Sequence, residues 1–265
     1  MLKDLSLWPR GKRATFGERL HAAATHLLLC LVVAGMAFGL VHWVWYPKEY
    51  WEMSGGRELF FLLVSVDVVL GPLITLAIFN PGKGWGRMKF DLAVVLVLQA
   101  AALAYGLWTV ASVRPAYLVH TGDRFNVVSA MSIEKSELAL AAQPTFRKVP
   151  WLGPEIVGTR APSTPEESNQ LLMDGLAGKD IEVQPKFYLP YEEVKQRVLA
   201  QSRTLQALRM KNPETARVAL DEKLKALGRE EQTLRWLPVM ARGDWVALID
   251  AESAEPLAFL PLNGF

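Results

Sequence analysis

Asp67 stands near the middle of an apolar stretch, LFFLLVSVDVVLGPLITLAIF (59–79), long enough to cross a bilayer core. A carboxylate at that depth costs roughly 2.5–3.5 kcal/mol on insertion scales. It therefore calls for a partner, a protein interior or water. Two roles compete for it: chemistry on a ligand, or a hydrogen bond to a neighbouring helix. A second aspartate, Asp91, opens the next apolar stretch. Paired aspartates can equip an intramembrane protease, but that reaction needs both carboxylates on one water. Here one lies near the midplane and the other at an edge, and no G-x-G-D run occurs. The histidines His21, His26, His42 and His120 show no helical metal-site spacing, and no G-x-S-x-G, P-loop or dinucleotide fingerprint appears. The single cysteine, Cys30, allows neither an intrachain disulfide nor a cysteine metal cluster, and is expected to pack as a small hydrophobe. The chain reads as a non-enzyme with no cofactor and no metal.

The elements that must position these residues follow from hydropathy. The chain is 51% hydrophobic over 265 residues, with a mean hydropathy of +0.16. That is too apolar for an ordinary soluble enzyme and too polar for a chain lying wholly in lipid. Apolar residues concentrate before position 114, charge and proline after it, so a membrane part precedes a water-soluble part. A net charge of +2 gives no reason to invoke nucleic acid. Three spans are expected, at about 20–46, 59–79 and 90–113, behind a basic tail at 1–19. The first runs on into HWVWYP, an interfacial aromatic belt, so it reads as an uncleaved anchor rather than a signal peptide. Lys3, Arg10, Lys12, Arg13 and Arg19 precede it, and the second loop carries Lys83, Arg87 and Lys89. The first loop holds only Lys48 and Arg57. The tail and second loop should thus face the cytoplasm, leaving residues 114–265 on the far side.

Spacing within the spans suggests how they pack. Gly35 and Gly39 form G-x-x-x-G, which admits a close helix backbone. Asp67, Gly71 and Thr75 recur every four residues on one small, polar face. Pro72 cannot donate to the carbonyl of Val68 and is expected to kink the helix. On the third span Gln99, Ala102 and Gly106 offer a matching surface, and Gln99 lies at a depth similar to that of Asp67. Asp91 is interfacial, within reach of Lys89. Without a cation beside it, the Asp67 carboxyl is expected to carry a proton.

The soluble part reads as small α+β with antiparallel strands. AYLVH, TGDR and FNVVSA spell strand, turn, strand, and a proline-rich extended loop follows. Thr164-Pro165-Glu166-Glu167 begins a short helix that Gly178 closes. A single helix is expected over 191–211 with Val194, Val198, Leu205 and Leu208 on one face, then another from Asn212-Pro213 to Gly228. LRWLPVM, WVALI and LAFLPL are strands joined by polar turns, one of them Arg242-Gly243-Asp244.

Four pieces, YPKEYWEMSGGRELFFLL (46–63), DVVLGPLITLAIFNPGK (67–83), KFDLAVVLVLQAAALAYG (89–106) and RPAYLVHTGDRFNVVSA (114–130), together resemble the TfpX/TfpZ (FimB-like) family of type IV pilin accessory proteins. The resemblance implies a bacterial inner-membrane protein, its C-terminal domain periplasmic, that assists pilin handling or pilus assembly without catalysis. Its implied partners are the major pilin or its precursor, other assembly proteins and membrane lipid. Such precursors sit in the membrane by an apolar helix bearing a glutamate. The Asp67, Gly71 and Thr75 face, or the Gly35 and Gly39 face, is then expected to dock that helix. Two alternatives stand beside this reading: a membrane-anchored scaffold or sensor subunit of an envelope complex, and a transporter whose oligomer lines a path with Asp67.

Overall fold

The computed structural model describes residues 14–265. Lys3, Arg10, Lys12 and Arg13, and with them most of the basic tail expected at 1–19, lie outside the described residues. Two compact units form. One takes in the described residues up to Val41 together with Glu58–Val110, the other His42–Arg57 and Ala111–Phe265.

The first unit rests on three long helices. Thr15 caps α1 (Phe16–Gly39): its hydroxyl accepts the Glu18 N–H at 3.3 Å while the Glu18 carboxylate accepts the Thr15 N–H at 2.8 Å. α1 runs without a break into a π-helical turn, Leu40–Trp45. A short α2 (Tyr50–Met53) follows and belongs to the second unit. α3 (Gly56–Ile78) and α4 (Trp85–Ser112) complete the first. Phe16–Trp45, Gly56–Ile78 and Gly86–Ser112 are each long and apolar enough to cross a membrane. Phe38 of α1 meets Phe60 of α3 edge to face at 5.5 Å, and the helices expose most of their remaining apolar side chains.

The second unit is a mixed sheet with helices on its faces. β1 (Pro115–Thr121) and β2 (Arg124–Ser129) form the expected hairpin, with Gly122 at φ 53° in the turn. After them come α5 (Lys135–Ala139), β3 (Glu155–Thr159), α6 (Pro165–Leu176), β4 (Tyr188–Pro190) and α7 (Tyr191–Gln201). β5 (Arg203–Thr204), α8 (Leu205–Lys211), α9 (Glu214–Leu227), β6 (Leu234–Ala241), β7 (Gly243–Asp250) and β8 (Pro256–Leu260) complete the unit. The eight strands run in the order β4-β3-β1-β2-β6-β7-β8, with β5 paired to β6.

Three expectations need correction. The sheet is mixed rather than antiparallel, because β1 pairs β3 and β2 pairs β6 in parallel. Parallel neighbours need long crossovers, and both connections here are long. Next, the stretch read as one proline-rich loop holds β3, inserted between β1 and β4. Gly158 of β3 lies so close to Val194 that a Cβ there would overlap it, which lets α7 settle on the strand. Finally, the helix expected over 191–211 is two helices. Ser202 is extended (φ −71°, ψ 151°), and Arg203–Thr204 pairs with the β6 edge, where the Trp236 indole N–H donates to the Thr204 carbonyl at 2.9 Å.

That break sends the apolar residues to different cores. Val194 and Val198 pack with Leu118, Phe125, Leu237 and Val239. Leu205 and Leu208 pack with Leu220, Trp236, Val246 and Leu248. Alternating residues of β6 thus feed both cores, as a sheet covered on two faces requires. Tyr50 and Met53 of α2 also enter the first of these cores, and the Tyr50 ring meets Phe259 at 5.4 Å. The Arg242 N–H donates to the Met53 carbonyl at 3.0 Å, and Lys223 pairs with Glu49. The segment between the first two long helices is thereby part of the second unit's interior.

Candidate functional site

A polar seam runs through the first unit. Gly71 and Thr75 of α3 are buried, and Asp67 is half-buried. From α4 the Gln99 amide donates to the Asp67 backbone carbonyl at 3.2 Å and lies 3.8 Å from the Cys30 sulfur. Gln99 is therefore the partner expected at that depth, but it takes the carbonyl and not the carboxylate. A Cβ at Gly71 would overlap the Gln99 amide, so glycine is what lets this side chain reach across. Pro72 sits inside α3 as expected, though the donor arrives at the carbonyl of Asp67 and not at that of Val68. Gly106 likewise admits the Leu63 side chain. Ala102, expected on the same face, is exposed; Leu103 takes the inward position.

Thr75 meets a residue that sequence reasoning had weighed only as a metal ligand: its hydroxyl lies 2.6 Å from His26 Nδ1 on α1. Helical spacing gave no sign of this contact, because the two residues are 49 positions apart. Gly35 takes no part in this cluster. A Cβ at Gly35 would meet nothing within 4 Å, so that part of the G-x-x-x-G face is open. Asp91 pairs with Lys83 at 3.2 Å.

The Asp67 side chain lines a cavity of about 170 Å³ together with Cys30, Val33, Gln99 and Leu103. His26, Leu29 and Leu96 line this cavity and also a neighbouring one of about 710 Å³, whose polar residues are Glu18, His21, Thr25 and Thr75. The two make one apolar cleft with a polar line along it. Gln99 Oε1 is buried there without a hydrogen-bond partner. Among the described residues no ion pair reaches the Asp67 carboxylate, and no three His, Cys, Asp or Glu side chains converge as metal ligands would. The arrangement offers hydrogen bonding and close packing to an apolar ligand.

His120 and Glu167 stand out among the shifted acid–base groups of the second unit. His120 is fully buried in β1, 5.3 Å from the Phe125 ring, and neither ring nitrogen has a hydrogen-bond partner. Burial, reinforced by the Arg197 guanidinium, pushes its pKa down to about 4. Glu167 at the start of α6 is held at about 2, chiefly by the two-pronged hydrogen bond from Arg160 at 2.7 and 2.8 Å. The Thr164 hydroxyl accepts the Glu167 N–H, as the capping signature implied. The Glu167 carboxylate itself turns to Arg160 and the Ser163 N–H rather than back to the Thr164 N–H.

Comparison with known proteins bears on both units. The family described as Fimbrial assembly protein FimB matches residues 14–55. That covers α1 with His26 and Gly35, the π-helical turn, and the α2 segment buried in the second unit. The serogroup I fimbrial assembly protein of Dichelobacter nodosus is 30% identical over 231 residues, spanning 85% of this chain and 88% of that protein. Its serogroup E1 counterpart is 29% identical over the same coverage. A fimbrial assembly protein of serogroups C1 and C2 from the same organism is 35% identical over 116 residues, 44% of this chain and 88% of that one. No solved structure matches significantly.

Proposed function

This chain belongs to the FimB family of fimbrial assembly proteins, which supports a role in pilus biogenesis, and within that role we propose that it is a non-catalytic accessory protein that binds type IV pilin subunits. In this reading α1, α3 and α4 cross the bacterial inner membrane, the N-terminus is cytoplasmic, and the sheet domain lies in the periplasm. The excess of lysine and arginine in the tail and second loop supports that orientation.

The observation that carries the reading is the open Gly35 face of α1. Gly71, Thr75 and Gly106 are taken up in packing the chain's own helices, whereas nothing approaches Gly35. Exposed Leu31, Val32 and Met36 flank it. Small residues with an apolar rim are what a second membrane helix needs for close approach. A pilin helix docks on this face, and the sheet domain contacts the pilin head. Asp67 serves as a recognition or packing residue at the cleft. Two ionised carboxylates there would repel, so a pilin glutamate beside Asp67 requires one of the pair to be protonated. Co-purification of pilin from detergent, comparing wild type with Gly39→Leu and Asp67→Asn, tests the proposal. Loss of pilin with Gly39→Leu supports docking on this face; undiminished capture overturns it. An unchanged Asp67→Asn assigns Asp67 to packing.

A further inference from the structure

Residues 150–153, Pro-Trp-Leu-Gly, form a loop whose position in the second unit is fixed unusually well for a surface segment. Arg114, itself buried, donates from one guanidinium nitrogen to the Ala111 carbonyl at 2.6 Å and from another to the Pro150 carbonyl at 2.7 Å. The same guanidinium lies 4.4 Å from the centre of the Trp151 ring. Trp151 also meets Trp45 edge to face at 5.6 Å. Gly153 has φ 89°, and a Cβ there would come within 3.1 Å of the Val44 carbonyl. Val44 and Trp45 are the last residues of the apolar stretch Phe16–Trp45, and Arg114 lies two residues beyond Ser112, where the third stretch ends. The loop is thus clamped to the ends of two apolar helices. Yet its tip is bare: Leu152 is 82% exposed and Trp151 58% exposed. A leucine held outward by a clamp beside tryptophan and arginine has the composition and placement of an interfacial anchor.

We propose that Trp151 and Leu152 rest in the headgroup–acyl boundary of the lipid bilayer, anchoring the sheet domain to the membrane surface. Covalent continuity carries the choice of lipid over a protein partner. A loop fixed to the residues at which the first and third apolar helices end lies where those helices leave the membrane. Arg147 and Lys148, both exposed, add basic charge within a few residues of the tip. The proposal rests on the reading that these helices span a membrane.

The test uses full-length protein in nanodiscs of phosphatidylethanolamine and phosphatidylglycerol, on a Cys30→Ser background. A spin label is placed on Leu152→Cys, with Val97→Cys in α4 and Leu172→Cys in α6 as references. Collision with oxygen, which partitions into lipid, is compared with collision with a water-soluble nickel chelate. The expected oxygen-to-nickel ratio at position 152 is several-fold above that at 172 and below that at 97. A ratio at 152 equal to that at 172, with 97 remaining oxygen-rich, overturns the anchor while leaving the spans intact. Shielding from both reagents at 152 also overturns it, by placing protein there. A nickel-rich ratio at 97 would instead remove the membrane reading on which the anchor depends.

Discussion

At Asp67 the hydrogen bond falls on the main chain. Gln99 reaches the carbonyl because Gly71 leaves room for its amide. Gly71→Leu is therefore expected to cost about 1–3 kcal/mol by forcing the two helices apart, read as a lower melting temperature in detergent. Gln99→Ala in the same chain should restore part of the loss. His120 gives a pH-dependent prediction. Its pKa in the folded chain is about 4 against an ordinary 6.5, with the Arg197 and Asp123 charges and the Gln201 side chain facing it. Below pH 6.5 the unfolded chain takes up the proton first, so stability falls as pH drops from about 6.5 to about 4. The full loss is on the order of 3 kcal/mol. His120→Gln should flatten that part of the profile in thermal denaturation. At this scale the sequence disclosed depth but not direction. Counting from the two helix ends paired Asp67 with Gln99, but could not say which oxygen would accept. The contact of His26 with Thr75 joins two helices through residues whose individual spacings carry no signature.

Elements were legible where local chemistry sets them. The Gly122 turn, the Thr164 cap and the left-handed Gly228 that ends α9 each follow from residues only a few positions apart. Strand direction was not, because alternation records which face is buried and says nothing of a neighbour contributed by a distant segment. β3 was hidden for that reason, and so was the break at Ser202. Residues 191–211 keep a helical rhythm, and only pairing with β6 interrupts it. For α1 the prediction concerns the open face. Gly35→Leu adds a side chain into empty space, so stability should move by no more than about 0.5 kcal/mol, while pilin recovered by co-purification drops. Equal recovery with unchanged stability would remove this face from the docking surface.

Over the whole molecule, the chain interleaves its two units, since His42–Arg57 joins the second one from between two long helices. In sequence the first residues of this segment read as an interfacial aromatic belt and the rest as a loop, because the core they serve is assembled from residues far beyond it. Met53→Ala is expected to destabilise the second unit by about 2–5 kcal/mol, seen as faster proteolysis of the sheet domain. A fragment limited to Ala111–Phe265 should be weakened in the same way. On the proposal made above, an apolar helix of a pilus subunit docks on the Gly35 face. The most direct test of this docking is a photo-crosslinking amino acid at Val32 or Met36 in cells that assemble type IV pili, with crosslinked products identified by mass spectrometry. The expected product is an adduct joining the α1 position to the membrane helix of pilin. Adducts to pilin only from positions in the sheet domain, and none from Val32 or Met36, would contradict it.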